Sequence, residues 1–177
     1  MVFHSPDSDD PLHRSAERYE ATLPRHFNRI MRSISHLPMP QTFDDIGCGK
    51  GRILLMAAQY GFRRVVGIEF DPSLSEMAKD NVSRFRARQS RPTEFEVVCH
   101  DAGTFTFPDE NALFYFFNPF KEDVMANTLE NIRRSAGQNR ERYIVYLVPK
   151  HLSLMDDPRK FALVVKTDIH AVYRMIL

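Results

Sequence analysis

A glycine-rich turn between a short apolar strand and an amphipathic helix constrains this chain more than any other feature. The turn reads Gly47-Cys48-Gly49-Lys50-Gly51, and Asp45 stands two residues before it. Glycine has no Cβ and adopts positive φ, so the backbone of such a turn can approach a ligand closely. The first N–H groups of the helix behind the turn have no intrahelical acceptor and face the same space. The pattern predicts a site for a nucleoside-bearing cofactor.

A second acid, Glu69, ends the next predicted strand, roughly twenty residues further on. A carboxylate in that place can accept hydrogen bonds from both hydroxyls of a ribose, because it presents two oxygens side by side. The glycines follow the spacing Gly47-x-Gly49-x-Gly51, whereas a dinucleotide fingerprint reads G-x-G-x-x-G. The spacing therefore favours a nucleoside cofactor other than a nicotinamide dinucleotide.

Strand-like and helix-like segments alternate along most of the chain. Strands are predicted at residues 43–46, 64–69, 95–99, 112–117 and 143–148, with helices at 52–60, from about 71, and at 122–135. The helix after the second strand begins either with Asp71 as its cap and Pro72 in its first turn, or with a capping box of Ser73 and Glu76. Alternation of this kind predicts an α/β fold with a doubly wound, mostly parallel sheet, and residues 161–167 and 170–177 predict a final hairpin.

Composition places the chain among ordinary soluble proteins. Hydrophobic residues make up 43% of its 177 residues and charged residues 27%, which suits one domain with a real core. The net charge of +1 gives no global attraction to nucleic acid or to an anionic membrane. No apolar run is long enough to span a bilayer, and the histidines and two cysteines show no metal-ligand spacing. A cytoplasmic location without a disulfide is the simplest interpretation.

The chain divides into three predicted parts. Residues 1–12 are acidic and hold two prolines, which is typical of a flexible tail. Residues 13–40 predict a helical segment interrupted near Pro24, and Tyr19 is a candidate for a lid contact over the cofactor. Residues 41–177 form the predicted cofactor-binding domain.

Four short motifs together resemble a known family. Asp45-Ile46-Gly47-Cys48-Gly49-Lys50-Gly51, Val66-Gly67-Ile68-Glu69-Phe70, Cys99-His100-Asp101-Ala102 and Phe117-Asn118-Pro119-Phe120 follow the order and intervals of class I S-adenosylmethionine-dependent methyltransferases. The match covers about residues 40 to 150, and small single-domain bacterial members of unassigned substrate are the most similar. The resemblance implies the Rossmann-like methyltransferase fold, with a seven-stranded sheet and a C-terminal antiparallel hairpin, and S-adenosylmethionine as the cofactor.

The resemblance also assigns roles to individual residues. Glu69 would hold the ribose, Phe70 would pack either on the adenine or in the core, and Asp101 with the N–H of Ala102 would read the adenine edge. For Asp101, an alternative is that its side chain caps the following turn. The remaining predicted cofactor contacts are Asp45, Gly47, Cys48, Gly49, Gly51 and Asn118.

Asn118, Pro119 and Phe120 are the predicted catalytic residues. In relatives that methylate planar amines, an Asn-Pro-Pro-aromatic motif presents an amide oxygen to the amine nitrogen. This chain has a single proline, so the motif allows an amine acceptor without requiring one. The alternative is a strand-to-loop turn in which Pro119 only sets the backbone.

The sequence thus predicts a methyltransferase that carries a methyl group from S-adenosylmethionine to an unidentified acceptor. A small molecule or a protein is favoured over nucleic acid, and no metal or membrane is implied. Two other hypotheses stay open: a catalytically silent domain that binds cofactor or a partner protein, and a nicotinamide-dependent oxidoreductase on a similar sheet.

Overall fold

The computed structural model describes residues 22–89, 92–118, 120–137 and 139–177. The segment predicted as a flexible tail, Tyr19 and Pro119 lie outside these residues. The helices are α1 Pro24–Ser33, α2 Arg52–Tyr60, α3 Pro72–Arg86 and α4 Glu122–Arg134, with a 3₁₀ helix at Leu152–Met155. The strands are β1 Thr42–Ile46, β2 Arg64–Glu69, β3 Glu94–Cys99, β4 Ala112–Phe116, β5 Arg142–Leu147, β6 Phe161–Lys166 and β7 His170–Met175.

The seven strands form one sheet in the order β3-β2-β1-β4-β5-β7-β6. The first five strands in that order pair in parallel, and β7 pairs antiparallel with both β5 and β6. The doubly wound sheet and the C-terminal hairpin are confirmed. Since β1 lies between β2 and β4, the chain leaves β1 in one direction and later returns to its other side. That reversal of strand order is where open α/β sheets bind ligands, at the carboxyl ends of the strands.

Helices cover both faces of the sheet. Apolar residues of α1, α2 and α3 pack on one face, against side chains such as Phe43 and Leu113. Residues of α4 and of the 3₁₀ helix pack on the other face, against side chains such as Ile46 and Phe116. The strands β1 and β4 are buried along their whole length, as expected for central parallel strands covered on both sides.

The structure decides between the two predicted starts of α3. The Asp71 side chain accepts a hydrogen bond of 2.9 Å from the Leu74 N–H, and Pro72 occupies the first turn of the helix. Asp71 is therefore the cap, and a proline is tolerated behind it because the first N–H groups of a helix need no intrahelical acceptor.

Candidate functional site at the carboxyl edge of the sheet

The glycine turn folds back onto the end of β2. The N–H groups of Gly47 and Cys48 both donate to the Ile68 carbonyl, at 2.8 and 3.1 Å. Gly47, Gly49 and Gly51 have φ values of +77°, +54° and +77°. Three left-handed residues within five positions reverse the chain sharply between β1 and α2. Residues with a Cβ would be strained in this conformation.

Glu69 fastens this turn to the loop that follows β2. Its Oε2 accepts a hydrogen bond of 2.8 Å from the Gly49 N–H, and its Oε1 accepts one of 3.0 Å from the Asp71 N–H. The side chain is only 5% exposed. Burial raises the pKa of this carboxyl, and the backbone amides partly oppose the rise. The Phe70 N–H also bonds to this carboxylate, and a carboxylate has about four acceptor positions, so three backbone amides leave about one position for a ligand.

Asp45 lies beside Glu69 on the neighbouring strand. It pairs in register with Gly67 of β2 and with Tyr115 of β4. The side chain is 4% exposed, and its pKa is raised well above the usual value, first by burial and then by the nearby Glu69 charge. Two carboxyls thus share one water-poor pocket, which favours a ligand that brings positive charge.

Gly67 of β2 allows the close approach of the glycine turn to this strand. The sequence alone did not indicate this role. A Cβ at this position would lie 2.7 Å from the Cys48 sulfur and 2.8 Å from Leu54 Cδ1. The Cys48 side chain fills this gap, and burial raises the pKa of its thiol well above the usual value. Cys48 is therefore a protonated packing residue of the turn rather than a nucleophile.

The third predicted group follows β3. Asp101 caps the following turn, because its Oδ1 accepts a hydrogen bond of 2.8 Å from the Gly103 N–H. Ala102 is buried, while Asp101 and Phe70 are each half-buried at the same edge of the sheet. The turn-capping alternative for Asp101 is thus present in the structure, and the contact with adenine stays a prediction.

The fourth predicted group follows β4. The Asn118 Nδ2 donates to the Val148 carbonyl, and its Oδ1 accepts a hydrogen bond of 3.3 Å from the Lys150 N–H. Asn118 has a φ of +41° and Val148 a φ of +46°, which is an unusual conformation for a β-branched residue. Asn118 therefore clamps the segment after β5 to the end of β4, while Phe120 is buried in the apolar cluster beneath α4.

The predicted site residues that fall within the described ranges lie at one edge of the sheet, at the ends of β1, β2, β3 and β4. Among the described residues, no three histidine, cysteine, aspartate or glutamate side chains form a group that could hold a metal ion. Within the same residues, every helix is too short or too polar to cross a membrane.

Comparison with known proteins agrees with this geometry. A family model described as a methyltransferase domain matches residues 45–139, which is more than half of the chain. A ribosomal protein L11 methyltransferase from Polynucleobacter necessarius is 32% identical over 97 residues. The alignment covers 55% of this chain and 25% of that protein, so the chain spans about a quarter of its relative's length.

Two solved structures share the fold. A SAM-dependent methyltransferase from Aquifex aeolicus has a TM-score of 0.60 at 16% identity, and the match covers 85% of this chain and 89% of that one. Magnesium protoporphyrin IX methyltransferase from Synechocystis, solved with bound SAM, has a TM-score of 0.57 at 15% identity and coverage of 86% and 77%. With the family match and the class I sheet order together, the chain belongs to the class I S-adenosylmethionine-dependent methyltransferase family.

Proposed function

We propose that this protein transfers a methyl group from S-adenosylmethionine to an acceptor that binds beyond the end of β4. The observation that carries the proposal is the Glu69 carboxylate. It is buried, it is hydrogen-bonded to the Gly49 N–H of the glycine turn, and it holds two oxygens side by side at the carboxyl edge of the sheet. A ribose diol needs two neighbouring acceptors of this kind.

The other residues at the edge fit the remaining parts of the donor. Asp45 would face the ammonium group of the methionine end, which compensates the two adjacent buried carboxyls. The glycine turn supplies close backbone approach, and Phe70, Asp101 and Ala102 would surround the adenine. When bound, the donor supplies an activated methyl group on a sulfonium, so the protein's part is to position the reactants and exclude water.

For the acceptor we propose an amine nitrogen, on a small molecule or on a protein. Support comes from Asn118 at the end of β4 and from the curated relatives, which are named for the methylation of ribosomal protein L11. Because Asn118 is already bonded to the segment after β5, its action on the acceptor would combine a free lone pair of Oδ1 with the placement of backbone carbonyls. Asn118→Ala should then lower turnover far more than donor affinity.

Calorimetry with S-adenosylmethionine tests the donor site first. We expect saturable binding with one donor per chain, whereas NADH should bind no better than an unrelated nucleotide. Methyl-labelled donor is then incubated with ribosomal protein L11 and with a dialysed bacterial extract. Label in the acceptor fraction would support the transferase. Donor binding without any transfer would favour the silent binding domain, and absence of donor binding would contradict the whole proposal.

A further inference from the structure

Asp45 is more enclosed than its place near the end of a strand would suggest. The end of β1 opens toward the ligand edge of the sheet, yet Asp45 is only 4% exposed. Its register partner Tyr115 is 1% exposed and lies on the same face of the sheet, among the residues that pack under α1. The surroundings of Asp45 are therefore set in part by what covers Tyr115.

Thr22, from the segment before α1, lies at the hydroxyl of Tyr115. The Thr22 Oγ1 and the Tyr115 hydroxyl are 3.2 Å apart, and both side chains are buried. Tyr115 also packs on Phe27 of α1, with 6.3 Å between ring centroids. The contact joins residues 93 positions apart in sequence, so it is a specific tertiary anchor for the entry into α1.

The direction of α1 places the Thr22–Tyr115 contact at the carboxyl edge of the sheet, where the ligand is expected. Thr22 lies near the carboxyl end of β4, whereas the chain that follows α1 reaches the amino ends of the strands, where the Gln41 carbonyl accepts from Arg63 and Arg64. The helix thus runs back across the sheet from the donor edge. Thr22 thus lies against Tyr115, which is the register partner of Asp45.

The Tyr115 hydroxyl is suited to join these groups. Burial raises its pKa, and the Asp45 charge raises it further, so the phenol remains neutral and adds no charge next to two carboxyls. A buried hydroxyl without a partner would be costly, and Thr22 supplies that partner. The bond therefore holds the chain at residue 22 against the face of the sheet that carries Asp45.

We infer that Tyr115 is a positioning residue for the methyl donor: its bond to Thr22 fixes the wall of the pocket that receives the donor's amino-acid end. The inference rests on the proposed function, because it takes Asp45 as the partner of the donor ammonium. An ammonium held by Asp45 in a water-poor pocket is bound more strongly than one in a wet pocket, since solvent screens charge. Loss of the anchor should therefore weaken ligands that carry the amino-acid end and spare those that lack it.

The test compares three ligands on matched variants. S-adenosylmethionine and S-adenosylhomocysteine carry the amino-acid end, whereas 5′-methylthioadenosine has the same adenine, ribose and sulfur without it. Tyr115→Phe and Thr22→Val each remove one hydroxyl and keep the shape of the side chain. Tyr143→Phe is the control, because Tyr143 is also a buried tyrosine whose hydroxyl donates a hydrogen bond of 3.0 Å, but to Glu141 at the amino end of β5.

We expect both anchor variants to bind S-adenosylmethionine and S-adenosylhomocysteine about five-fold more weakly, the effect of losing one ordinary hydrogen bond. Affinity for 5′-methylthioadenosine should not change, and the double variant should lose no more than either single one, because both remove the same bond. Tyr143→Phe should bind all three ligands like the wild type.

Unchanged donor affinity in both variants would overturn the inference, and so would an equal loss for all three ligands, which indicates a general structural defect. Thermal unfolding shows which variants are folded, and Thr22→Val tests the bond from its other side if Tyr115→Phe does not fold. A wild-type protein that binds none of the ligands would instead contradict the proposed function.

Discussion

Asp44 and Asp45 are neighbours on β1, but they face opposite sides of the sheet and serve different purposes. Both are almost fully buried, at 3% and 4% exposed, and burial is the largest cause of the raised pKa of each. Asp45 lies beside Glu69 in the candidate donor pocket. Asp44 belongs to a charged cluster on the other face, together with Arg64, Glu110 and Arg142.

Arg142 is the centre of that second cluster. It is fully buried at the start of β5, and its guanidinium donates to the carbonyls of Pro108, Glu110 and Ile132. It also donates to the Ser135 hydroxyl and lies over the Phe114 ring, 5.6 Å from its centroid. Among the described residues, the Asp44 Oδ1 has no hydrogen-bond partner.

The two regions show two ways to bury a carboxylate. In the donor pocket, backbone amides hold the Glu69 carboxylate at the edge of the sheet where the ligand is expected. On the other face, Arg142 forms hydrogen bonds that connect loops and strands, and the charge of the Asp44 carboxylate is only partly compensated. We expect substitutions in the Arg142 cluster to change stability with little effect on donor affinity, and substitutions in the donor pocket mainly to change affinity.

Removal of the Arg142 side chain should have the largest effect. Arg142→Met leaves three carbonyls without their donor and removes a cation near the buried Asp44, so we expect the free energy of unfolding to fall by about 3–5 kcal/mol. Urea unfolding measures the loss, and calorimetry on the folded protein should give wild-type donor affinity. The control is Arg174→Met, since Arg174 is half-exposed and its contact with Glu141 is 3.4 Å; such a pair contributes about 0–1 kcal/mol.

Asp44 should make the protein less stable as the pH rises. Its pKa is raised from 3.8 to about 7 in the folded state, so between these values the folded chain keeps a proton that the unfolded chain has lost. The free energy of unfolding should therefore fall by up to about 4 kcal/mol from pH 4 to pH 8. Burial also raises the pKa of Asp45 and Glu69, which adds a slope of the same sign.

Asp44→Asn should flatten this dependence, with the greatest gain over wild type above pH 7 and little difference near pH 4. Urea unfolding at several pH values gives the slope directly. An unchanged slope in the variant would assign the pH dependence to the donor-pocket carboxyls instead.

Glu69→Ala should weaken S-adenosylmethionine binding by about 1–3 kcal/mol, because the ribose loses its acceptors and the Gly49 N–H loses its anchor. Calorimetry gives the affinity. Glu94→Ala is the matched control, since Glu94 is an exposed acid at the amino end of β3, 3.4 Å from Arg64. If the two variants bind S-adenosylmethionine equally well, Glu69 does not hold the ribose.

Gly67→Ala should have the smallest effect, and it should lower both the free energy of unfolding and the donor affinity. The new methyl group would press on the Cys48 sulfur and on Leu54, and overpacking of this kind costs about 1 kcal/mol or more of stability. Displacement of the turn should also lower donor affinity. Adding Cys48→Ala removes the nearer obstacle and should restore part of both losses, whereas no recovery would show that Leu54 sets the limit.

Local pattern was enough to predict most of the elements. The bounds of α2 and β2 agree with the sequence prediction, and β1, β3, β4 and β5 differ by one residue at one or both ends. These elements have strong signals, namely glycine stops and apolar runs of the right length. The 3₁₀ helix at Leu152–Met155 was not predicted, because a single turn of helix leaves no periodic pattern.

Sequence by itself determined the strand–turn–helix unit, the order of the four motifs and the likeness to a methyl-donor site, since each depends on residues close together in the chain. Only the tertiary structure decided which groups from distant parts of the chain meet: Gly67 with Cys48, Asn118 with Val148, and Thr22 with Tyr115. The physical reason is that such contacts depend on how strands pair and helices cross, and a buried side chain bonds to whatever partner that packing brings within reach.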